Sequence, residues 1–455
     1  MAHDAMRASS AKHDARRATF VAVLTLAGPA IGQSLLETLV FLVDRAMLGR
    51  HGAASLASMQ ISGPLTWSVL SVMGAFAVGV VALVGRAVGA GDRALAAAAV
   101  RAGLVLAVCV GSAAGVLVTL GMPLILAAFP NATPEVHAAA RDYLTTLAPG
   151  MPLLLVVGVA AAALQASGDT RTPFFVAVIG NLVNAPVAWV LIFGRFGVPS
   201  LGTRGAAMGT VIAMLVQAVL LVAALMRRDG VVSLRGRGGE RAAALRFLRV
   251  SGPSFVEKAI QHVGFFAFVT MIGALGATAM AANQTLVSLE SVCFLSADGF
   301  AVAAASIVAQ RLGAHRPEEA AFAARVATVL AVVSLSSVGL SFAVVPQLLL
   351  GLFTSDAQIL AAATPVMVIA AITQPFMAAG VVLSQAVRGA GDTRSALGVT
   401  LLGGLVVRLG ATYYFTQIAG LGLYGVWLGS TCDWIVRTVL LAVVWGRGGW
   451  KRAVV

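Results

Sequence analysis

Long apolar runs, separated by short polar or glycine-rich segments, alternate along almost the whole 455-residue chain. Gly103–Met122 and Val326–Val345, for example, contain no charged side chain. A helix needs roughly 20 apolar residues to cross a hydrocarbon layer about 30 Å thick. The pattern predicts six membrane spans in each half of the chain. Their approximate cores are 20–44, 54–82, 98–122, 138–164, 173–193, 205–226, 250–273, 278–307, 325–348, 362–387, 396–416 and 423–446.

The sequence repeats itself with a nearly constant shift. Gly28-Pro29 returns as Gly252-Pro253, 224 positions later, and the tetrapeptide GDTR at Gly168–Arg171 returns at Gly391–Arg394, 223 positions later. Internal repeats are a common way to build transporters around a central site. Because each copy has an even number of spans, both copies share one orientation. We therefore predict two six-helix bundles related by a pseudo-twofold axis along the membrane normal.

The composition agrees with a membrane protein. Hydrophobic residues make up 59% of the chain, charged residues only 11%, and the mean hydropathy is +0.94. Soluble proteins carry about 25% charged residues, so we expect an all-α polytopic membrane protein. The three cysteines lie apart in apolar stretches, which indicates neither a disulfide framework nor a metal site.

The net charge of +13 is explained by topology rather than by a nucleic-acid partner. Cytoplasmic segments of membrane proteins collect Lys and Arg. Of the 31 such residues, five lie on one side of the predicted spans and three lie within spans, which leaves 23 on the other side. This asymmetry places both termini in the cytoplasm.

The predicted organisation is two lobes with basic connecting segments. Each GDTR lies between the fourth and fifth spans of its lobe, where Gly allows a turn and Asp or Thr can cap the next helix. A gate or conformational latch is the alternative interpretation. The predicted segments are an N-terminal tail (1–19), a first lobe (20–226), a basic linker (227–248), a second lobe (249–446) and a C-terminal tail (447–455).

Several chemistries are excluded by missing motifs. The sequence has no G-x-x-x-x-G-K-[ST] for nucleotide binding, no H-E-x-x-H and no G-x-S-x-G. It also lacks a D-x-x-x-D pair for a magnesium diphosphate and a T-V-G-Y-G potassium filter. We therefore expect a transporter coupled to an ion gradient, without a cofactor, and not an enzyme.

Ionisable side chains within spans are costly and mark functional sites. Glu37 and Asp44 are seven residues apart in span 1, which is close to two helical turns, so both lie on one face roughly 10 Å apart. Carboxyl groups buried away from water hold protons more readily, and two on one stripe could form a proton path. The alternative is that Asp44 reaches water or pairs with Arg45.

Other polar or kinking residues extend this picture. Pro29 and Pro253 interrupt the hydrogen bonding of the first span of each lobe and are predicted hinges. Asn181 and Asn184 lie one turn apart in span 5, where they would complete a polar pocket with span 1 or, alternatively, join helices to one another.

In the second lobe, Glu257 and Lys258 are neighbours and point in different directions, so each needs another partner. Asp433 and Arg437 are four residues apart and are predicted to neutralise one another.

The combination of a doubled six-span unit with three segments resembles the multidrug and toxic compound extrusion (MATE) family. The segments are "LGRHGAASLASMQ" after span 1, "ALQASGDTRTP" after span 4 and "LGTRGAAMGT" at span 6. "LSADGFAVAAASIVAQRLGA" in span 8 resembles the DinF-like branch. The resemblance covers residues 20–446. It implies a V-shaped pair of six-helix bundles that export cationic or lipophilic compounds in exchange for H⁺ or Na⁺.

The resemblance also implies residue roles. Asp44 matches a proton-coupling aspartate, Glu37 a polar pocket residue and Pro29 a helix bend, whereas Asn184 and Thr210 match polar residues of spans 5 and 6. The complete candidate set is Asp44 and Glu37 for ion coupling, Gln33, Gln60, Asn181, Asn184, Thr210, Glu257 and Gln284 for substrate binding, and Pro29 and Pro253 as hinges.

Two departures from the family pattern bear on the coupling ion. Some relatives carry an acid one turn after the span-5 asparagine, where this chain has Ala188. Other members use acids in spans 7 and 10 for Na⁺; Glu257 matches the first, but span 10 (364–385) has none. The pattern therefore favours H⁺ over Na⁺.

We expect a monomer in the inner membrane whose partners are small organic substrates and membrane lipids. A flippase for lipid-linked oligosaccharides is the main alternative, and such proteins tend to carry more cations in the cavity than Lys258, Arg408 and Arg437. A non-transporting assembly or sensor protein and a channel are further alternatives.

Overall fold

The computed structural model describes residues 2–130, 132–227, 232, 234 and 238–453. Within these residues the chain is almost entirely helical. The α-helices are α1 (Ala2–His51), α2 (Ala53–Gly89), α3 (Arg93–Leu120), α4 (Met122–Ala127), α5 (Pro134–Leu147), α6 (Met151–Ala166), α7 (Arg171–Phe193), α8 (Gly202–Leu225), α9 (Glu240–Gly273), α10 (Ala277–Gly313), α11 (Pro317–Val344), α12 (Pro346–Gly351), α13 (Ala357–Gly389), α14 (Thr393–Thr400), α15 (Arg408–Tyr413) and α16 (Gly422–Arg447).

Twelve helical segments in the described part of the chain are long and apolar enough to cross a membrane, which confirms the predicted number of spans. The helices also follow the sequence repeat. α2 and α10 both have 37 residues, and α3 and α11 both have 28. In each pair the second helix begins 224 positions after the first.

Two of these spans are not continuous α-helices. Span 4 joins α5 to α6 through a 3₁₀ turn at Ala148–Gly150, where Pro149 lacks a backbone donor. Span 11 joins α14 to α15 through a π-helical segment, Leu401–Val407, and ends in another, Tyr414–Ile418. Such π-segments are frequent at functional sites.

The chain forms two compact units. The N-terminal unit comprises Gly32–Ser251, and the C-terminal unit comprises the residues up to Ile31 together with those from Gly252 onward. The divisions therefore lie within α1, just after Pro29, and within α9, just before Pro253. α1 is nevertheless one continuous helix through Pro29. The hinge role of both prolines stays a prediction.

The first part of α1 and the first part of α9 are exchanged with respect to the predicted lobes. Val23 of α1 is fully buried in the alanine-rich core of α10, α11 and α13. Phe247 of α9 is fully buried and stacks on Phe76 of α2, with ring centroids 5.8 Å apart. Burial of these apolar side chains stabilises each helix start on its unit.

The segment predicted as the basic linker 227–248 is partly helical, since α9 begins at Glu240. Arg101 of α3 anchors it: its Nε donates to Glu240 Oε1 at 2.9 Å, and its Nη1 donates to the carbonyl of Leu234 at 3.2 Å. Three arginines of this predicted linker lie outside the described residues, namely Arg228, Arg235 and Arg237.

Both GDTR segments form the predicted capped turns. Gly168 and Gly391 have φ of 94° and 90°, a left-handed conformation that side chains disfavour. Asp169 Oδ1 accepts a hydrogen bond from Thr172 N at 2.9 Å, and Asp392 Oδ1 accepts one from Ser395 N at 3.1 Å. A gate or latch role stays a prediction.

Candidate functional site

The polar stripe on α1 consists of Gln33, Glu37 and Asp44, spaced by four and seven residues so that they share one helix face. Gln33 connects the stripe to α6, because Gln165 Nε2 donates to Gln33 Oε1 at 3.1 Å. Gln33 Nε2 in turn donates to Glu37 Oε1 at 3.3 Å. Glu37 is exposed, whereas Gln33 is half-buried. The stripe therefore begins with a chain of three side chains that ends in an accessible carboxylate.

Asp44 lies farther along the stripe and meets α7. Asn184 Nδ2 lies 3.4 Å from Asp44 Oδ2 and donates to it. Asn184 is 3% exposed and Asp44 is half-buried. Asp44 Oδ1 and Asn184 Oδ1 are buried and have no hydrogen-bond partner among the residues that the structure describes. A buried carboxylate with one unsatisfied oxygen can accept a proton or a ligand donor.

Of the other residues predicted for the site in this unit, only some contact α1. Asn181 Nδ2 donates to the carbonyl of Leu36 at 3.4 Å, so both span-5 amides face α1. Thr210 Oγ1 donates to the carbonyl of Ala206 in its own helix at 3.1 Å, and Gln60 is exposed on α2. The structure thus brings together Asp44, Asn181 and Asn184 along α1, and neither Thr210 nor Gln60 bonds to them.

Arg45 does not form an ion pair with Asp44 within the part of the chain that the structure describes. Its guanidinium instead lies over the ring of Phe41, 4.1 Å from the centroid. A hypothetical Cβ on Gly63 of α2 would lie 3.1 Å from Arg45 Nη2, so this glycine makes room for the arginine. The alternative in which Arg45 neutralises Asp44 is therefore wrong.

Two residues near the stripe were not singled out from the sequence. Gln165 lies in an otherwise apolar stretch of α6, and Tyr143 of α5 lies close enough to interact electrostatically with Asp44 and Arg45. Gln165 is the lone polar side chain of its helix, whereas Tyr143 stands next to Arg141-Asp142. That isolation could have identified Gln165, although it does not show which helix the side chain faces; the sequence gives no such signal for Tyr143.

Two buried carboxylates of the C-terminal unit, Glu257 and Asp433, are held by arginines. Glu257 is fully buried and pairs with Arg388 of α13, whose Nη1 also donates to Ser384 Oγ at 2.6 Å. Lys258 and Asp298 lie near one another and interact electrostatically. Gln284 is exposed on α10 and is not part of this group.

A second buried carboxylate of this unit, Asp433, is shared by two arginines. Arg437 donates from Nε to Oδ1 at 2.5 Å and from Nη2 to Oδ2 at 2.8 Å, as predicted, while Arg408 Nε lies 2.9 Å from Oδ2. Gly403 and Gly404, in the π-segment, lie against Arg437, where a Cβ would collide with its side chain. The absence of side chains at these glycines leaves the space that the Arg437 side chain occupies beside the π-segment.

No group of three or more His, Cys, Asp or Glu side chains that could hold a metal ion occurs among the described residues. The polar centres of both units are built instead from carboxylates, amides and arginines. The carboxylates among them can bind and release protons, and the amides and arginines can hydrogen-bond polar organic ligands.

A family model matches the chain twice, in the same register as the internal repeat. The MatE family model matches residues 29–190 and again residues 253–414, and these two segments begin 224 positions apart. Together they make up more than half of the chain. The chain belongs to the MATE family. MATE proteins are transporters, so the prediction that the chain is not an enzyme is confirmed.

Similar MATE proteins match over almost the whole chain. A probable multidrug resistance protein NorM of Thermotoga maritima is 30% identical over 95% of this chain and 93% of its own length. A protein of the same description from Pseudomonas aeruginosa is 30% identical over 90% of this chain and 85% of its own length. These relatives bear the NorM name, and the DinF-like branch stays a prediction.

Solved MATE structures share the fold. A crystal structure of a MATE protein in complex with MaD3S has a TM-score of 0.87 at 22% identity and covers 96% of this chain and 97% of that one. An outward-facing MATE transporter of the MOP superfamily has a TM-score of 0.83 at 22% identity, with 96% of each chain covered. The all-α fold with twelve spans is confirmed.

Tight helix packing surrounds Ala188, the position at which some MATE relatives carry an acid. Ala188 is fully buried beside Leu48 and Ile192, and a Cβ on Gly209 of α8 would lie 2.9 Å from the Ala188 Cβ. α7 and α8 therefore approach too closely here for a longer side chain. Within the described part of this unit, the carboxylates of the polar centre are those on α1.

Proposed function

We propose that this MATE protein is a secondary active multidrug exporter that exchanges cationic or lipophilic organic compounds for H⁺. The observation that carries the proposal is the contact between Asp44 and Asn184, which leaves one oxygen of a half-buried carboxylate without a partner in the described part of the chain. A multidrug role is supported by the relatives named above. We expect the exporter to act as a monomer.

The proposed exchange depends on the charge of Asp44. The ionised carboxylate attracts a cationic substrate and accepts the Asn184 amide. A proton neutralises the carboxylate, weakens both interactions and favours substrate release. Glu37, which is exposed and hydrogen-bonded to Gln33, provides a second carboxylate on the same face.

Coupling to H⁺ rather than Na⁺ is supported by the state of Glu257. This carboxylate is paired with Arg388, and a bound guanidinium competes with a metal cation for the same oxygens. Span 10 adds no acid in residues 364–385. Neither feature favours a sodium site there.

The proposed setting is the inner membrane, with both termini in the cytoplasm. The support is the asymmetry of Lys and Arg along the chain. The ends of α2, α6 and α8 and the starts of α3, α7 and α9 fall on the basic side. A fusion reporter at each terminus tests this orientation independently of transport.

The test of exchange is dye efflux in inverted vesicles. Asp44→Asn should preserve the Asn184 contact and folding but abolish proton-driven accumulation, to less than about a tenth of the wild-type rate, because an amide cannot exchange a proton. The matched control is Glu318→Gln, which alters a carboxylate that is 84% exposed. Scanning H⁺ and Na⁺ gradients separately identifies the ion, and unaltered efflux by Asp44→Asn would refute the role.

The cations within the spans, which the flippase alternative needs to attract a polyanionic lipid, lie beside carboxylates. Arg408 and Arg437 both contact Asp433, and Lys258 lies near Glu257 and Asp298. Cations that are compensated in this way offer less attraction to a polyanionic lipid than free ones. Rescue of a flippase-deficient strain would favour that alternative over the proposed antiport.

A further inference from the structure

A cavity of about 460 Å³ lies in the N-terminal unit at the end of α1 and of α7. Its size falls within the range of roughly 300–1,000 Å³ that is usual for small-molecule sites. Its lining combines apolar side chains with two arginines. The lining residues are Val43, Ala46, Met47, Arg50, Trp189, Phe193 and Arg195.

The cavity is distinct from the polar stripe. Val43, Ala46, Met47 and Arg50 follow one another at helical spacing and form a face of α1 next to the one that carries Asp44. Asp44 is directed to Asn184 and does not line the cavity. The proposed exchange chemistry therefore leaves this cavity unused.

The two arginines of the cavity are available for a ligand. Arg50 and Arg195 are exposed, and neither is paired with a carboxylate within the described residues. The Arg195 guanidinium lies 5.7 Å from the centroid of Trp189, a cation–π contact that orients it. Guanidinium groups match the geometry of phosphate oxygens and can bind them bidentately.

The position of the cavity indicates the kind of ligand. α1 ends at His51 and α7 ends at Phe193, so the cavity lies where two membrane spans end. Aromatic residues gather at this level of a bilayer, and arginine side chains near helix ends extend to the interface. Trp189 and Phe196 are 41% and 86% exposed and contact one another edge to face. An occupant at this depth meets both headgroups and acyl chains.

We propose that this cavity binds an anionic phospholipid. The phosphate lies between Arg50 and Arg195, and the first part of an acyl chain lies against Val43, Met47 and Phe193. Charge complementarity selects the phosphate, and the apolar wall selects a lipid over a soluble anion. The proposal does not depend on the transported substrate or on the coupling ion.

The test is the lipid that remains bound to purified protein. We expect wild-type protein reconstituted in equal parts of phosphatidylglycerol and phosphatidylcholine with identical acyl chains to retain phosphatidylglycerol preferentially, measured by native mass spectrometry. The double variant Arg50→Gln/Arg195→Gln should lose this preference by about tenfold, since the two guanidinium groups supply the contacts to the phosphate.

The matched control is Arg93→Gln/Arg227→Gln, which removes two exposed arginines at the opposite ends of spans in the same unit. It should retain the wild-type preference. Trp189→Ala should weaken it by a smaller factor, because Arg195 loses its aromatic support while its charge remains. Circular dichroism of each variant verifies the helical content.

Three results would overturn the proposal. The first is equal retention of both lipids by wild-type protein, and the second is the same loss in the control double variant. The third is displacement of the lipid by inorganic phosphate at millimolar concentration, since a site for a soluble anion would not need the apolar wall.

Discussion

Gln33 and Gln165 in the N-terminal unit occupy the places that Glu257 and Arg388 occupy in the C-terminal unit, after shifts of 224 and 223 residues. Both pairs join the first span of a repeat to its fourth. The first pair is an amide hydrogen bond of 3.1 Å, and the second is an ion pair around a fully buried carboxylate. The equivalent contact is thus neutral in the N-terminal unit and charged in the C-terminal unit.

The leading helices of the two repeats also differ in charge beyond this contact. Glu37 and Asp44 of α1 correspond to Gln261 and Phe268 of α9. α9 therefore carries no acid at the two positions that correspond to Glu37 and Asp44, and two buried carboxylates of this unit, Glu257 and Asp433, are bound by arginines. Amide neighbours leave a carboxylate free to change its charge, whereas guanidinium neighbours fix that charge. This difference favours the N-terminal unit as the place of proton exchange.

The largest effect is expected from Arg388→Gln, which tests whether the charged contact of the C-terminal unit differs in stability from the neutral contact of the N-terminal unit. Glu257 would then keep a buried charge without its partner, and such changes lower the free energy of unfolding by about 3–5 kcal/mol. The measurement is thermal unfolding of purified protein in detergent. We expect this variant to unfold at a lower temperature than Asp44→Asn or Asn184→Ala.

Its control is the double variant Glu257→Gln/Arg388→Gln, which copies the amide pair of the other unit. It should recover most of the lost stability, because two amides can bond to one another without a buried charge. If the double variant were as unstable as Arg388→Gln, the two contacts would not be interchangeable and the comparison would fail.

A smaller effect is expected from Asn184→Ala. Hydrogen bonds to charged groups contribute about 1.5–3 kcal/mol, so losing the amide donor to Asp44 should lower proton-driven efflux by about tenfold in inverted vesicles. Asn181→Ala is the matched control, because its amide donates to a backbone carbonyl of α1 and not to a carboxylate. Equal losses in both variants would assign the asparagines to helix packing.

Much of the fold could be predicted from the sequence because membrane spans are recorded in continuous apolar runs. The twelve spans, the repeat and the capped GDTR turns all depend on local patterns. The exchange of helix starts could not be predicted in this way. Val23 and Phe247 pack on elements far away in the chain, and their apolar character is the same whichever unit covers them.

The candidate site was predictable to the extent that helical spacing defines a face. Spacing placed Glu37 and Asp44 on one stripe, and the four-residue interval joined Asp433 to Arg437. Spacing does not identify partners on other helices. It does not indicate that Arg408 also reaches Asp433, or that Arg45 turns to Phe41 rather than Asp44.

The smallest expected effect comes from Gln165→Leu, which removes the neutral contact itself. A hydrogen bond between uncharged groups contributes about 1 kcal/mol, so stability should fall slightly and efflux by less than about threefold. Gln358→Leu, at an exposed glutamine of α13, controls for the change of residue type. Efflux as low as that of Asp44→Asn would show that the amide pair is part of the proton path. The distinction between a passive amide contact and a coupling carboxylate would then have to be abandoned.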